Sequence, residues 1–145
     1  MTTASNFFTP SQKKAIEEAI ALAEKQTSGE IRVHIETSCP EDVLDRAASI
    51  FGKLKMHKTA ERNGVLFYLA INEHKFAILG DAGINAKVPD GFWNNVKELM
   101  TEHFRKNEFA EGFIAGIALS GEKLKEHFPH LENDTNELSD EITFS

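Results

Sequence analysis

The chain has a single cysteine, Cys39, which excludes an intrachain disulfide and a cysteine zinc cage. No apolar run approaches the ~20 residues needed to span a bilayer. The stretch from Met1 to Asn6 carries neither basic residues nor an apolar signal segment, so a cytoplasmic location is expected. A basic excess is also missing. The net charge is −7, and five acids (Glu132, Asp134, Glu137, Asp140, Glu141) lie beyond His130, where no Lys or Arg occurs. Long-range attraction of nucleic acid or an anionic membrane is therefore not favoured. The six histidines form no transition-metal motif: His127 and His130 are split by Pro129, while His34 falls on the polar face of a strand. Phosphatase signatures of the D-x-D-x-T, C-x-x-x-x-x-R and R-H-G types do not occur, and no Gly-Lys-Ser/Thr follows a glycine loop.

The rest is ordinary globular sequence. At 145 residues the chain is long enough to bury roughly 68–70% of its unfolded surface. A single domain is expected over 1–130, followed by an acidic, Asn/Thr/Ser-rich tail over 131–145 that reads as disordered.

Four helices and three strands are readable. Thr9-Pro10-Ser11-Gln12 opens the first helix as a capping box with proline at its first position. Ile16, Ala19, Ile20 and Ala23 give its apolar face, and Gly29 is expected to stop it. The first strand, Ile31 to Ile35, alternates. Ser38-Cys39-Pro40-Glu41 is read as a second capping box, opening a helix with Val43, Ala47, Ile50, Phe51 and Leu54 on one face. The second strand, Val65 to Ile71, is apolar on both faces, as a central covered strand should be. A third strand, Lys75 to Leu79, follows after Asn72-Glu73-His74, a loop of hairpin length. A loop with Gly83 and Pro89 leads to a third helix capped by Asp90. A fourth carries Gly112, Gly116 and Ser120 every four residues, a row of small residues for close helix packing. The order implies a right-handed parallel crossover plus an antiparallel hairpin, hence an α/β fold: a three-layer α/β/α sandwich around a mixed sheet.

Three polar signatures fall at strand ends: Ser28-Gly29-Glu30, Arg62-Asn63-Gly64 and Gly80-Asp81-Ala82-Gly83. Hairpin geometry places Arg62 and Asn63 beside Gly80 and Asp81, and a parallel first strand brings Glu30 to the same edge. Two carboxylates about 4 Å apart repel by roughly 4 kcal/mol at an effective dielectric of about 20, so this rim needs a counter-charge. A divalent cation, Ca²⁺ or Mg²⁺, held by Glu30, Asn63, Asp81 and loop carbonyls would supply it. So would Arg62, as an internal salt bridge. Arg62, Glu61 and Gly80 are the further candidate site residues. Asn63-Gly64 is also a candidate for a turn at positive φ.

With these residues in place, the chain resembles the TPM domain family. The likeness rests on Thr27-Ser28-Gly29-Glu30-Ile31-Arg32-Val33, Arg62-Asn63-Gly64-Val65-Leu66, Gly80-Asp81-Ala82-Gly83-Ile84 and Phe109-Ala110-Glu111-Gly112-Phe113, and spans about residues 9 to 128. The resemblance implies an α/β/α sandwich and divalent-cation binding. It also implies a phosphatase activity of the kind proposed for plant members. Many anchored relatives place an acid just before the Asn-Gly pair, whereas here Arg62 stands there with Glu61 one step earlier. Three functions follow as expectations: a soluble cation-binding module that acts as a binding or regulatory domain, with a possible protein partner; a metal-assisted phosphatase acting on phosphomonoesters; and a metal-free interaction module.

Overall fold

The alternation from Glu30 onward becomes strand β1 (Glu30–Glu36), and the wholly apolar run becomes β2 (Gly64–Ala70). The computed structural model describes residues 2–130 and 137–145. β1 and β2 run parallel with Ile31 opposite Val65, and β3 (Lys75–Gly80) returns antiparallel with Gly80 opposite Val65. A short β4 (Thr143–Phe144) lies parallel to β1, completing the order β3-β2-β1-β4.

Helices cover both faces. On one, Ile31, Val33, Ile35, Val65, Phe67 and Leu69 pack against α2 (Pro10–Glu24), α5 (Asn94–Arg105) and α6 (Phe109–Leu124). On the other, Leu66, Tyr68 and Ala70 meet Ala47, Ile50 and Phe51 of α3 (Val43–Lys53). Each large apolar side chain buried this way contributes roughly 1.5–3 kcal/mol against its exposed state. The expected mixed-sheet α/β/α sandwich is therefore the fold. The row of small residues serves helix packing as expected: a Cβ on Gly112 would reach Phe104, and one on Gly116 would stand 2.5 Å from Met100 Cγ.

Several boundaries differ from the sequence reading. α2 is capped as expected, with Thr9 Oγ1 accepting from Gln12 N at 3.1 Å, but it ends at Glu24, before Gly29. The cap of α3 is Asp42, whose carboxylate accepts from the Leu44 and Asp45 N–H groups; the Ser38–Glu41 stretch instead ties to the hairpin, where Glu73 accepts from Ser38 Oγ and Cys39 N. Asp90 does not cap α5. Gly91 takes φ +76, a left-handed turn that interrupts any helix begun at Asp90, and α5 starts at Asn94. Two short helices, α1 (Ala4–Phe7) and α4 (Ala82–Lys87), raise the described α-helices to six, with a 3₁₀ turn at Met56–Lys58.

The expected disordered tail is corrected over part of its length. Residues 131–136 lie outside the described residues. Beyond them Ile142 is buried and β4 joins the sheet, because Ile142-Thr143-Phe144-Ser145 alternates apolar and hydroxyl residues along an open edge. No helix among the described residues is long and apolar enough to cross a membrane.

Candidate functional site

The backbone assembles the rim as the signatures imply. Glu30 pairs with Gly64 across the parallel ladder, and its N–H donates to Asn63 O at 3.1 Å. Asp81, just past β3, donates its N–H to Gly64 O at 2.9 Å. The loop carrying Glu61, Arg62 and Asn63 is held by Thr59, which accepts from Asn63 N through Oγ1 at 3.1 Å, and by Gly83 N–H, which donates to Arg62 O at 2.8 Å. The positive φ in this turn falls at Arg62 (φ 51), so Asn63-Gly64 is not itself the left-handed pair. Gly64 serves a close approach: a Cβ there would stand 3.1 Å from Met56 O.

The side chains take separate partners. Arg62 grips Asp81 bidentately, Nε to Oδ2 and the second guanidinium nitrogen to Oδ1, both at 2.8 Å. Asp81 Oδ1 also accepts from Ala82 N at 2.7 Å, which makes Asp81 the N-cap of α4. Burial works against ionisation of Asp81, but Arg62 and the Ala82 N–H outweigh it and hold the carboxyl below the usual range. Asn63 Nδ2 donates to Ser28 O at 3.0 Å and approaches Glu61 Oε2 at 3.5 Å. Glu30, only 4% exposed, accepts from Leu138 N through Oε1 at 2.7 Å, and burial raises its carboxyl to about 7. Gly80 contributes backbone: its carbonyl accepts from Asn85 Nδ2 at 3.3 Å. Asn85, Phe92 and Trp93 in turn line a cleft of about 310 Å³ next to the rim.

Three buried side-chain polar atoms have no hydrogen-bond partner among the described residues: Glu30 Oε2, Asn63 Oδ1 and Arg32 Nε. Two of the three are oxygens on the expected ligand set. No three His, Cys, Asp or Glu side chains among the described residues stand close enough to hold one ion. An ion at the rim would therefore draw on Asn63 and on backbone carbonyls as well as carboxylates.

The sequence reading missed a second polar cluster, on the α3 side of β1. His34 was expected to sit solvated or hydrogen-bonded on a polar face. It is buried, with Nδ1 and Nε2 each 2.7 Å from a hydroxyl, those of Thr143 and Ser145, and burial lowers its pKa to about 4. Glu36 receives Arg46 through two bonds of 2.8 and 2.6 Å, Ser145 Oγ at 2.8 Å and the Tyr68 hydroxyl. Arg46 above all holds the Glu36 carboxyl at about 2. The available signal was the alternation of Arg32, His34 and Glu36 on a strand covered by helices on both faces, where polar side chains need buried partners.

These shifts fix a pH profile. Glu36 contributes stability above the unfolded carboxylate pKa, and this is lost as pH falls toward about 2. Neutral His34 acts in the same direction: its contribution is present above the unfolded value and lost as pH falls through about 4. Glu30, at about 7, and Glu24, raised to about 9 by burial and by Asp140, act oppositely, because their stability is present below the unfolded pKa and lost as pH rises. Stability should therefore peak near pH 5, at about the unfolded carboxylate pKa. Urea midpoints measured from pH 4 to 9 check this, and a midpoint that climbs steadily from pH 5 to 8 contradicts it.

The family model described as the TPM domain matches residues 1–123. The NMR structure of the BA42 protein from the psychrophilic bacterium Bizionia argentinensis is 41% identical over 100% of both chains, with a TM-score of 0.94. The N-terminal domain of a protein from P. gingivalis (18% identity, 89% of this chain and 84% of that one, TM-score 0.72) shares the fold. So does the N-terminal domain of cg2496 from Corynebacterium glutamicum (15%, 90% and 84%, TM-score 0.67). No curated protein matches. On the matched length and the shared architecture, the chain belongs to the TPM domain family.

Proposed function

We propose that the chain is a divalent-cation-binding module, taking Ca²⁺ or Mg²⁺ at the rim of Glu30, Asn63 and Asp81, where the ion orders the loops into a recognition surface for a protein partner. The observation that carries this reading is the pair of buried, partnerless oxygens, Glu30 Oε2 and Asn63 Oδ1, on two of the three expected ligands. A buried acceptor without a partner costs about 1–3 kcal/mol, and hard oxygens of this kind are what Ca²⁺ and Mg²⁺ take. Exposed Glu61 adds a carboxylate on the same loop. Asp81 becomes available when Arg62, whose side chain is 50% exposed, swings into solvent.

The bidentate Arg62–Asp81 pair favours a second reading, an interaction module whose rim is neutralised without an ion. A phosphomonoesterase would use Asp81 to hold an ion and Arg62 to steady phosphate; here those two groups satisfy each other, which ranks that reading third. One titration separates the first two. Ca²⁺ and Mg²⁺ are added while backbone amide shifts are followed, and a saturable change at Gly29, Asn63 and Asp81 is expected. Arg62→Ala, which frees Asp81, should tighten binding. A native chain and an Arg62→Ala variant that both ignore the cation, with the variant destabilised, would establish the second reading instead.

A further inference from the structure

The rim occupies one end of the sheet, where β2 begins. A separate basin opens at the other end, where the β2–β3 hairpin meets α5 and the start of α6. Buried Leu69 forms its floor, and half-buried Phe76, Phe104 and Phe109 line it. The three rings contact one another: Phe104 meets Phe76 edge-on with centroids 5.2 Å apart and stacks on Phe109 at 5.1 Å. His74, in the hairpin, tilts against Phe109 at 5.8 Å. The cavity measures about 240 Å³, below the roughly 300–1,000 Å³ of sites for drug-sized molecules, a size for one ring with a short substituent. Its polar groups are His74, Thr101 and exposed Arg105. Arg105 has no acidic partner among the described residues, where the ion pairs are Arg46–Glu36, Arg62–Asp81 and His103–Glu108. Glu108, the acid just before Phe109, is thus taken by His103 Nδ1 at 2.9 Å. A basic residue in the last turn of α5 also suits the helix dipole. The dipole does not account for an unpaired guanidinium beside three rings that keep apolar surface in water.

We propose that this basin binds a small aromatic carboxylate. The ligand ring packs edge-to-face or offset on Phe76, Phe104 and Phe109, as aromatic pairs prefer. Its carboxylate accepts from the Arg105 guanidinium, whose planar fork matches two oxygens, and the Thr101 hydroxyl adds a donor within the same lining. The net charge of −7 works against anions in general, so the attraction is local: the rings supply burial and Arg105 the counter-charge, and neither suffices without the other. No rim residue lines this basin, so the proposal stands apart from the cation reading and the two fail separately.

The test titrates the full chain with phenylacetate, with its neutral amide phenylacetamide and with acetate, following backbone amide shifts. Phenylacetate should give saturable shifts at Phe76, Thr101, Arg105 and Phe109 and leave Gly29, Asn63 and Asp81 unmoved. Loss of the charge-assisted bonds in phenylacetamide, and loss of the ring in acetate, should each weaken binding roughly tenfold or more. Arg105→Gln, an exposed change that leaves the core intact, should weaken phenylacetate by a similar factor, while Lys106→Gln, the same charge change outside the lining, should alter it by less than about twofold. No saturable shift, equal binding of phenylacetate and either control, or equal effects of Arg105→Gln and Lys106→Gln overturns the proposal. So does a dimer in diffusion measurements with concentration-dependent shifts at Phe76 and Phe109 in the absence of ligand, since a second copy of the chain then covers the rings.

Discussion

Gly83→Ala is expected to lower stability by about 3 kcal/mol, the upper end of overpacking costs, and the melting temperature by about 10 °C. The backbone at Gly83 tolerates a side chain, since it sits in the first turn of α4 without a positive φ. What does not tolerate it is the neighbouring loop. An added Cβ would overlap the Glu61 carbonyl oxygen and stand 2.5 Å from Arg62 O, both backbone atoms that no rotamer change can move. The loop must retreat, and the Gly83 N–H to Arg62 O bond of 2.8 Å stretches with it. Because that loop carries Glu61, Arg62 and Asn63, the damage should appear in amide shifts over 59–64 before it appears elsewhere. A melting temperature within about 2 °C of the native value would show that the first turn of α4 and the Glu61–Arg62 loop are not in this contact in solution.

Glu36→Ala should cost a similar amount, about 3 kcal/mol, at the low end for breaking a buried ion pair because Arg46 keeps some access to water. The loss comes from what is left behind. Tyr68 is fully buried and its hydroxyl loses its carboxylate acceptor; Ser145 loses one of its two partners; Arg46 keeps its charge without a counter-ion. Adding Tyr68→Phe to Glu36→Ala should recover part of the loss, since the orphaned hydroxyl is then gone, and the double variant should fall short of the sum of the singles. Chemical denaturation of the four proteins measures this. Strict additivity, or a Glu36→Ala cost below about 1 kcal/mol, would mean the network contributes nothing beyond its individual bonds.

What could be read in advance follows the range of the forces involved. The strands and the backbone of the rim were legible because they depend on local signals: a three-residue connection in Asn72-Glu73-His74, a crossover helix, and an apolar run with nowhere to go but a sheet interior. The capping box at Thr9 and the close-packing row at Gly112, Gly116 and Ser120 were legible for the same reason. α4 was hidden because Asp81, its cap, was assigned as a ligand and Gly83 as loop punctuation. The start of α5 was misplaced because Asp90 is a good cap by composition, and only the left-handed Gly91 beside it decides otherwise. β4 was hidden because the acidity of its surroundings outweighed a four-residue alternation. Side-chain partners at the rim were the least legible of all. Whether Arg62 or an ion faces Asp81, and that Glu30 turns to Leu138, depends on contacts between residues 19 and 108 positions apart.

The placement of β4 also bears on how the molecule avoids its own kind. β1 is a largely buried strand one place from the end of the sheet, and without a neighbour its outer N–H and C=O groups would template pairing with another chain. A strand of two residues covers that row without offering a long new one. Asp140 and Glu141 stand just before Ile142 and β4, so the sequence leading into the edge strand is acidic. The last strand is thus short and acid-flanked for the same reason that gatekeeper residues surround apolar stretches elsewhere: it ends the sheet.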